Sequence, residues 1–469
     1  MTNSRLLELF LCLSKKEIRD LRKFVNSPFH NQRQDVIQLF EYLTRHAQSS
    51  KKAVLDKQHI YQQLYPKQRY AEKKMRYVMS FLYKAIQAYL SYQAYQADPL
   101  LSQKALLQAI RQKGRNRLFE TSLKIAEEEL DRQTFRHPDF HLQAFQIQEE
   151  QYLFKASENR LNHLGLEEAS SQLDLFFIAN KFKHAALALA HQQVGQSQLD
   201  LALLGPTLKQ VNENSVYLQQ PAIAVYYHCV KMMLEKEALP HFVELRSLMQ
   251  QYQTQFPVQE LRDLYIFALN FCIRRLNAQE GYFKREAFTI YQEGLDNGVF
   301  YDNGKLSRFN YKNIVALGLG LGEFDWVARF IENYKDYLDK KVKESTYNFN
   351  LALLHYKTLN YPKAMEHLQQ IDADDVLNNL NARRMLACIY YEQEQIEPLY
   401  SLLDSFQNYI YRKRQLGYHK IHYLNFIKYM RRLLQKGQYN AAQLDKLRKE
   451  ITATQDIVEK VWLLEKLDA

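Results

Sequence analysis

Residues 345–371, STYNFNLALLHYKTLNYPKAMEHLQQI, and residues 380–406, LNARRMLACIYYEQEQIEPLYSLLDSF, are two copies of one pattern. Aligned without gaps, the copies place similar residues opposite one another at a constant offset of 35 residues. A helix–turn–helix unit of this length cannot bury its own apolar face, so the pattern predicts that neighbouring units stack. The matched pairs are Leu351 with Leu386, Ala352 with Ala387, Tyr356 with Tyr391, Tyr361 with Ile396, and Leu368 with Leu403.

A third unit precedes these two copies. Its turn lies at Gly322, and the residues that follow the three turns, Phe324, Tyr361 and Ile396, are spaced 37 and 35 residues apart. Before about residue 300 the matched spacing decays, so earlier units are inferred only from paired helices. The repeats are therefore clearest over residues 308–412. We expect eight residues of the two copies to pack between helices: Leu351, Ala352, Tyr361, Ala364, Leu368, Leu386, Ala387 and Tyr391.

These units resemble tetratricopeptide repeats. The similarity lies in the small residues Ala352 and Ala387 of the first helix, in the aromatic residue after the turn, and in Ala364 of the second helix. Leu399 departs from the pattern, since a small residue is expected there. The resemblance covers about a quarter of the chain and implies a right-handed α-solenoid of helix hairpins, a fold whose members bind different proteins and peptides. The wider layout is also similar to uncharacterised bacterial helical-repeat proteins, which implies no activity.

The composition favours an all-α protein. The 469 residues include only 13 glycines and 10 prolines, too few for the many turns of a sheet-rich fold. We predict an N-terminal helical domain over residues 1–96, followed by a right-handed α-solenoid of tetratricopeptide-like hairpins over residues 97–469. Four well-separated cysteines without a CxxC pair indicate reduced thiols. The apolar run LLELFLCL contains Glu8 and lacks an export cleavage site, so we expect a cytoplasmic protein with no membrane span.

The charge is distributed unevenly. Residues 1–120 hold 22 Lys and Arg against 9 Asp and Glu, whereas residues 121–410 hold 28 against 37. Within the basic part, a short helix ending at Leu64, a turn at Tyr65 and Pro66, and a long helix from about Ala71 have the layout of a helix-turn-helix. A solvated charged face and a nucleic-acid contact surface both fit this pattern. The candidate phosphate contacts are Lys67, Arg69, Lys73, Lys74, Arg76 and Lys84.

No catalytic signature emerges from the sequence. Gly318, Gly320 and Gly322 mimic a phosphate-binding loop, but they follow a predicted helix rather than a strand. His137 and His141, like His419 and His422, form pairs without an evident third metal ligand. We therefore predict no enzyme, cofactor, metal or small-molecule substrate. The leading expectation is a non-catalytic scaffold that binds a protein or peptide on the concave solenoid surface. The alternative is a nucleic-acid-binding or regulatory protein that uses residues 1–96.

Overall fold

The computed structural model describes residues 1, 3–46, 55–158, 164–194, 199–371, 375–413, 416–417 and 419–468. These residues form 23 α-helices and one short antiparallel β-hairpin, which confirms the all-α class. The chain divides into two compact units, residues 1–181 with 205–223 and residues 182–204 with 224–469. None of the helices in the described ranges combines the length and the apolar character that a membrane span needs.

The first five helices enclose an apolar core of their own. The second and fourth helices begin at favourable caps: the Ser14 and Glu17 side chains form a reciprocal capping box, and Asp56 accepts two backbone amides at the start of the fourth helix. The long fifth helix buries one side against the first three, whereas the fourth helix packs mainly on the third. The bounds are α1 (Arg5–Leu11), α2 (Lys15–Asn26), α3 (Gln34–His46), α4 (Lys57–Leu64) and α5 (Glu72–Ala97).

The next seven helices begin where α5 ends. Asp98 caps α6 and Pro99 occupies its first position, whereas the predicted domain boundary between residues 96 and 97 lies in the last turn of α5 and remains a prediction. The first three of these seven helices form a small separate core, in which the rings of Phe119 and Phe154 stack 4.1 Å apart. The bounds are α6 (Pro99–Gln112), α7 (Asn116–Asp131), α8 (Pro138–Glu158), α9 (Leu166–Val194), α10 (Leu204–Glu213), α11 (Pro221–Leu234) and α12 (Leu239–Tyr252).

The remaining helices follow as hairpins. Helices α13 (Val258–Asn277), α15 (Arg308–Gly320), α17 (Lys343–Lys357) and α19 (Val376–Glu392) are first helices of four hairpins, and α14 (Tyr282–Asp296), α16 (Phe324–Tyr334), α18 (Tyr361–Leu368) and α20 (Ile396–Arg412) are the second helices. The β-hairpin, β1 (Tyr301–Asp302) with β2 (Lys305–Leu306), precedes α15. Helices α21 (His419–Leu434), α22 (Ala441–Ala453) and α23 (Lys460–Asp468) end the described chain.

One turn geometry joins the two helices of all four hairpins. The second residue after the first helix has a positive φ: 67° at Gln279, 78° at Gly322, 59° at Leu359 and 56° at Glu394. The next residue donates its amide back to the helix, as Asn360 does to the His355 carbonyl at 2.8 Å. This is the Schellman ending of a helix, which normally favours glycine. Only one of the four turns has a glycine there, so three carry the cost of a left-handed side chain.

The predicted packing residues lie between the helices of the last two hairpins. Ala352, Ala364 and Ala387 are fully buried, and Leu351 and Leu368 are nearly so. The partly buried residues Tyr361, Leu386 and Tyr391 pack against the same core. Helix α17 contacts α15, α16, α18 and α19, so consecutive hairpins are stacked here. The right-handed solenoid remains a prediction.

Close packing also explains the glycine-rich run. Gly318 lies inside α15, where a Cβ atom would collide with the side chain of Val327 on α16 and press on Phe288 of α14. Gly322 occupies the turn. These glycines therefore permit a close helix approach and a left-handed turn rather than forming a phosphate loop.

Candidate functional site

A network of polar side chains crosses the side of α17 that faces α15 and α19. The Lys312 ammonium donates to the Asn378 side-chain carbonyl, and Asn378 donates to the Ser345 hydroxyl at 3.3 Å and to the Asp375 carboxylate at 2.8 Å. Arg308 lies 3.6 Å from the same carboxylate. We call Arg308, Lys312, Ser345, Asp375 and Asn378 the first-helix network, because all but the capping residue Asp375 lie on first helices. Burial lowers the pKa of Lys312, while Asp375 acts in the opposite direction.

Helix α17 itself is buried on almost every side although many of its residues are polar. Asn348 accepts a hydrogen bond from the His367 ring at 2.9 Å, and Asn350 donates to the Thr346 carbonyl at 2.7 Å. The first-helix network joins α15 to α19 across α17. A pocket of about 360 Å³ opens beside this network and is lined by Arg308, Lys341, Val342, Ser345, Asp375, Val376 and Leu377. Ligand binding on a concave surface of the repeats remains a prediction.

The opposite side of the repeats carries an open groove of about 440 Å³ between the second helices α14 and α16. Its floor includes part of a row of aromatic rings along α16: Trp326 and Phe330 are stacked 5.4 Å apart, and Phe330 and Tyr334 4.7 Å apart. Tyr337 and Tyr301 continue the row beyond the groove. We call this cleft the second-helix groove; it is lined by Gln292, Leu295, Asp296, Trp326, Arg329, Phe330, Asn333 and Tyr334.

Four polar side chains on the walls of the second-helix groove remain available to a ligand. Among the described residues, the side chains of Gln292, Asp296, Arg329 and Asn333 have no hydrogen-bond or ion-pair partner. Arg329, Asp296 and Asn333 are exposed. The groove therefore offers two amides, one cation and one anion beside an aromatic floor. This combination can bind a ligand that presents both donors and acceptors next to apolar groups.

The candidate phosphate contacts of the N-terminal helices fall into two groups. Arg76 pairs with Glu72 at 2.7 Å, and the Lys74 ammonium lies 3.6 Å from the centre of the Tyr65 ring and donates to Gln68. The other four are exposed and, within the described residues, make no ion pair or hydrogen bond through their side chains: Lys67, Arg69, Lys73 and Lys84. Only these four keep a cation free for an external partner.

The connection between α4 and α5 is longer than a helix-turn-helix turn. Seven residues, 65–71, separate the two helices, whereas the DNA-binding motif uses three or four. Helix α5 is also held along its whole buried side by Met75, Val78, Leu82, Ile86 and Tyr89. Its exposed side is the part available to a ligand.

The buried titratable groups of the second unit are engaged with one another. One Glu260 oxygen accepts from the Tyr226 hydroxyl at 2.7 Å, and the other lies 2.9 Å from the Lys183 ammonium. Burial, together with the Glu260 carboxylate, raises the pKa of Tyr226. Burial likewise raises the pKa of Cys272 and Cys388 to about 12, so neither thiol is ionised near neutral pH. These groups stabilise the interior and do not face a cleft.

Comparisons of the chain with protein-family models, with curated proteins and with solved structures found no match. The similarity to tetratricopeptide repeats therefore rests on the small residues and turn positions of residues 308–412. What the surfaces of this protein can bind has to be inferred from their geometry and charge.

Sequence reasoning missed the second-helix groove. Trp326, Phe330 and Tyr334 recur at every fourth residue, a spacing that places them on one side of α16. That signal was available, although such a stripe is usually core. The contribution of α14 was not available, because Gln292 and Asp296 are brought to α16 only by the stacking of two hairpins.

Proposed function

We propose that this protein is a non-catalytic scaffold that binds an extended peptide segment of another protein in the second-helix groove. The observation that supports this proposal is the set of unpaired polar side chains beside the aromatic row. Ligand pockets are typically lined by apolar and aromatic side chains together with a few polar groups that fix the orientation of the ligand, and the second-helix groove combines both.

A peptide has the chemistry that this groove requires. Its backbone carries a donor and an acceptor at each residue, which the amides of Gln292 and Asn333 can pair with in both directions. Apolar or prolyl side chains can pack against the Trp326 ring, as in other aromatic-lined peptide grooves. Arg329 and Asp296 then select a segment that carries charges of both signs.

The proposal places the ligand between second helices, whereas the sequence led us to expect the concave solenoid surface. A ligand that separated the first helices would uncover the buried Asn378 and the half-buried Lys312. Uncovering such groups without new partners costs free energy. The second-helix groove can be occupied without any rearrangement of the hairpins.

The test is residue-specific photocrosslinking. A photoreactive amino acid replaces exposed Asn333 in the groove, and in a separate variant it replaces exposed Ser401 on the second helix α20. After irradiation in an extract of the source cells, we expect a discrete polypeptide adduct from position 333 and none from position 401. Adding Arg329→Glu to the position-333 variant should reduce the adduct several-fold, since it replaces the only cation among the described residues of the groove lining with a second anion.

The control separates groove binding from general adhesion. Equal adducts from positions 333 and 401 would show that the groove has no special affinity. Recovery of nucleic acid alone, without any crosslinked polypeptide, would contradict the scaffold function. The melting temperature of each variant should match that of the wild type, because both replaced side chains are exposed.

A further inference from the structure

Helix α5 carries exposed aromatic rings on the side opposite its buried face. Tyr77, Phe81 and Tyr92 are 54%, 43% and 48% exposed, and Phe29 in the α2–α3 connection is 90% exposed. Single exposed apolar residues are ordinary, but several large rings on one surface are not. We call Phe29, His30, Tyr77, Phe81 and Tyr92 the α5 strip.

The α2–α3 connection lies against α5 and joins Phe29 and His30 to the strip. The Arg33 guanidinium lies 4.4 Å from the centre of the Phe81 ring. Farther along α5, the Phe24 ring is 6.4 Å from that of Tyr92 and stacks on His30 at 3.8 Å. The connection therefore contacts α5 directly near Phe81, and His30 is linked to the Tyr92 end only through Phe24 of α2.

The tip of this connection is held in place. The Asn31 amide donates to the carbonyls of Val25 at 2.9 Å and Arg33 at 3.2 Å, and the backbone amides of His30 and Asn31 both donate to Ser27. Phe29 is thus presented to solvent by a hydrogen-bonded turn. Its exposure is a feature of the local fold rather than the result of a loose loop.

The charge along the strip is positive. Lys73 and Lys84 are eleven residues apart, which is about three helical turns, so they lie on the same side of α5 as Tyr77. The only acidic residue of α5 is Glu72 at its first position, and Glu72 is paired with Arg76. Exposed rings are therefore flanked by two unpaired ammonium groups, with no carboxylate of α5 among them.

We propose that the α5 strip binds a single-stranded nucleic acid, with bases stacked on Tyr77 and Phe81 and phosphates beside Lys73 and Lys84. This site is separate from the second-helix groove and adds a function to the scaffold. Rings that project into solvent can receive unpaired bases, and nearby cations attract the phosphates, which is how proteins bind single strands without reading their sequence.

A duplex fits this surface less well than a single strand. Bases within a duplex are stacked on one another, so Tyr77, Phe81 and Phe29 would meet only the sugar–phosphate exterior or the groove edges. The connection of seven residues before α5 also differs from the turn of a helix that enters the major groove. Cations alone would not distinguish the two forms, whereas the exposed rings favour the single strand.

The test uses the full-length protein with fluorescently labelled oligothymidylate and oligouridylate of about 15 nucleotides, and a duplex of equal length. We expect both single strands to bind at about 50 mM salt, with an affinity that falls as salt rises, and the duplex to bind more weakly. Combining Tyr77→Ala with Phe81→Ala should weaken binding about tenfold or more. Combining Lys73→Ala with Lys84→Ala should reduce the salt slope by about 1.4 units.

Two control variants test whether the loss of binding is specific to the α5 strip. Arg76→Ala removes a cation already paired with Glu72, and Tyr282→Ala removes a ring that is 72% exposed in the other unit. Both should leave the affinity within about twofold of wild type, on the general rule that paired or distant groups add little. Absence of binding to either single strand, equal binding of the duplex, or unchanged affinity after loss of Tyr77 and Phe81 would each overturn the proposal. Ultraviolet crosslinks should fall on the strip.

Discussion

Helices α5 and α17 depart from the usual pattern in which apolar residues are buried and polar residues are exposed. Helix α17 buries Ser345, Thr346, Asn348 and Asn350, four polar residues, whereas α5 exposes the rings of three aromatic residues. The difference follows from the neighbours. Helix α17 lies among α15, α16, α18 and α19, while α5 has α1, α2 and α3 along one side. Burial is thus decided by the number of surrounding helices as much as by the apolar character of the residue.

This contrast separates stability from binding. Polar groups buried around α17 need partners inside the protein, and those partners make the first-helix network a stabilising feature. The rings of Tyr77, Phe81 and Tyr92 are about half exposed, so the fold gains less from them than from buried groups. Substitutions should therefore lower the free energy of unfolding more around α17 than on the exposed side of α5.

Among substitutions around α17, the largest effect is expected for Asn378→Ala. Asn378 is fully buried and contacts Lys312, Ser345 and Asp375. Its loss leaves the half-buried Lys312 ammonium without its acceptor, so the free energy of unfolding should fall by roughly 2–4 kcal/mol. Urea denaturation measures this change. Asn333→Ala, at an exposed amide without a partner in the described chain, should stay within about 0.5 kcal/mol of wild type.

A somewhat smaller effect is expected where α17 crosses α18. Ala364 is fully buried, and α17 and α18 are in close contact along their length. Ala364→Leu should lower the free energy of unfolding by about 1–3 kcal/mol, because three extra carbons overfill the crossing. Lys363→Leu is the control, since Lys363 is exposed. Equal melting temperatures for wild type and Ala364→Leu would show that the repeat register is wrong.

The turns explain how much of the repeat could be predicted. The residues used to measure the period, Phe324, Tyr361 and Ile396, each lie two positions after the left-handed residue of their turn. Their spacing therefore reported a real geometric feature. The α13–α14 turn repeats the same geometry at Gln279, although its glycine, Gly281, lies two residues later and the next helix also begins one residue later than in the other hairpins. Because Gln279, Leu359 and Glu394 all hold a positive φ without being glycine, residue type alone does not reveal this conformation.

That observation gives a third prediction. Glu394→Gly should raise the free energy of unfolding by about 0.5–1 kcal/mol, because glycine adopts a positive φ without the clash of a Cβ atom. The mirror variant, Gly322→Ala, should lower it by about 1 kcal/mol. No heavy atom lies within 4 Å of a Cβ built at Gly322, so the second variant measures backbone conformation alone. A change of the same sign in both variants would contradict the shared turn geometry.

The α5 surface was only partly readable from the sequence. The pairing of Arg76 with Glu72 follows from their separation of four residues on a helix and could have been predicted. The contact between Lys74 and the Tyr65 ring crosses a turn whose path the sequence did not define. The exposure of Phe29 was equally hidden, because it depends on hydrogen bonds from Asn31 that fix the turn of the α2–α3 connection.

The smallest effect is expected for Phe29→Ser, which should change the free energy of unfolding by less than about 0.5 kcal/mol. Nearly all of the Phe29 ring already meets water, so its removal exposes almost no further apolar surface. Tyr89→Ala on α5 provides the contrast, since the Tyr89 ring is buried and its loss should cost roughly 3–5 kcal/mol by analogy with other large aromatic truncations. A loss of more than about 1 kcal/mol for Phe29→Ser would mean that the fold itself uses this ring. In that case the exposure of Phe29 would no longer indicate a ligand. The proposed nucleic-acid site would then depend on Tyr77, Phe81 and Tyr92 alone.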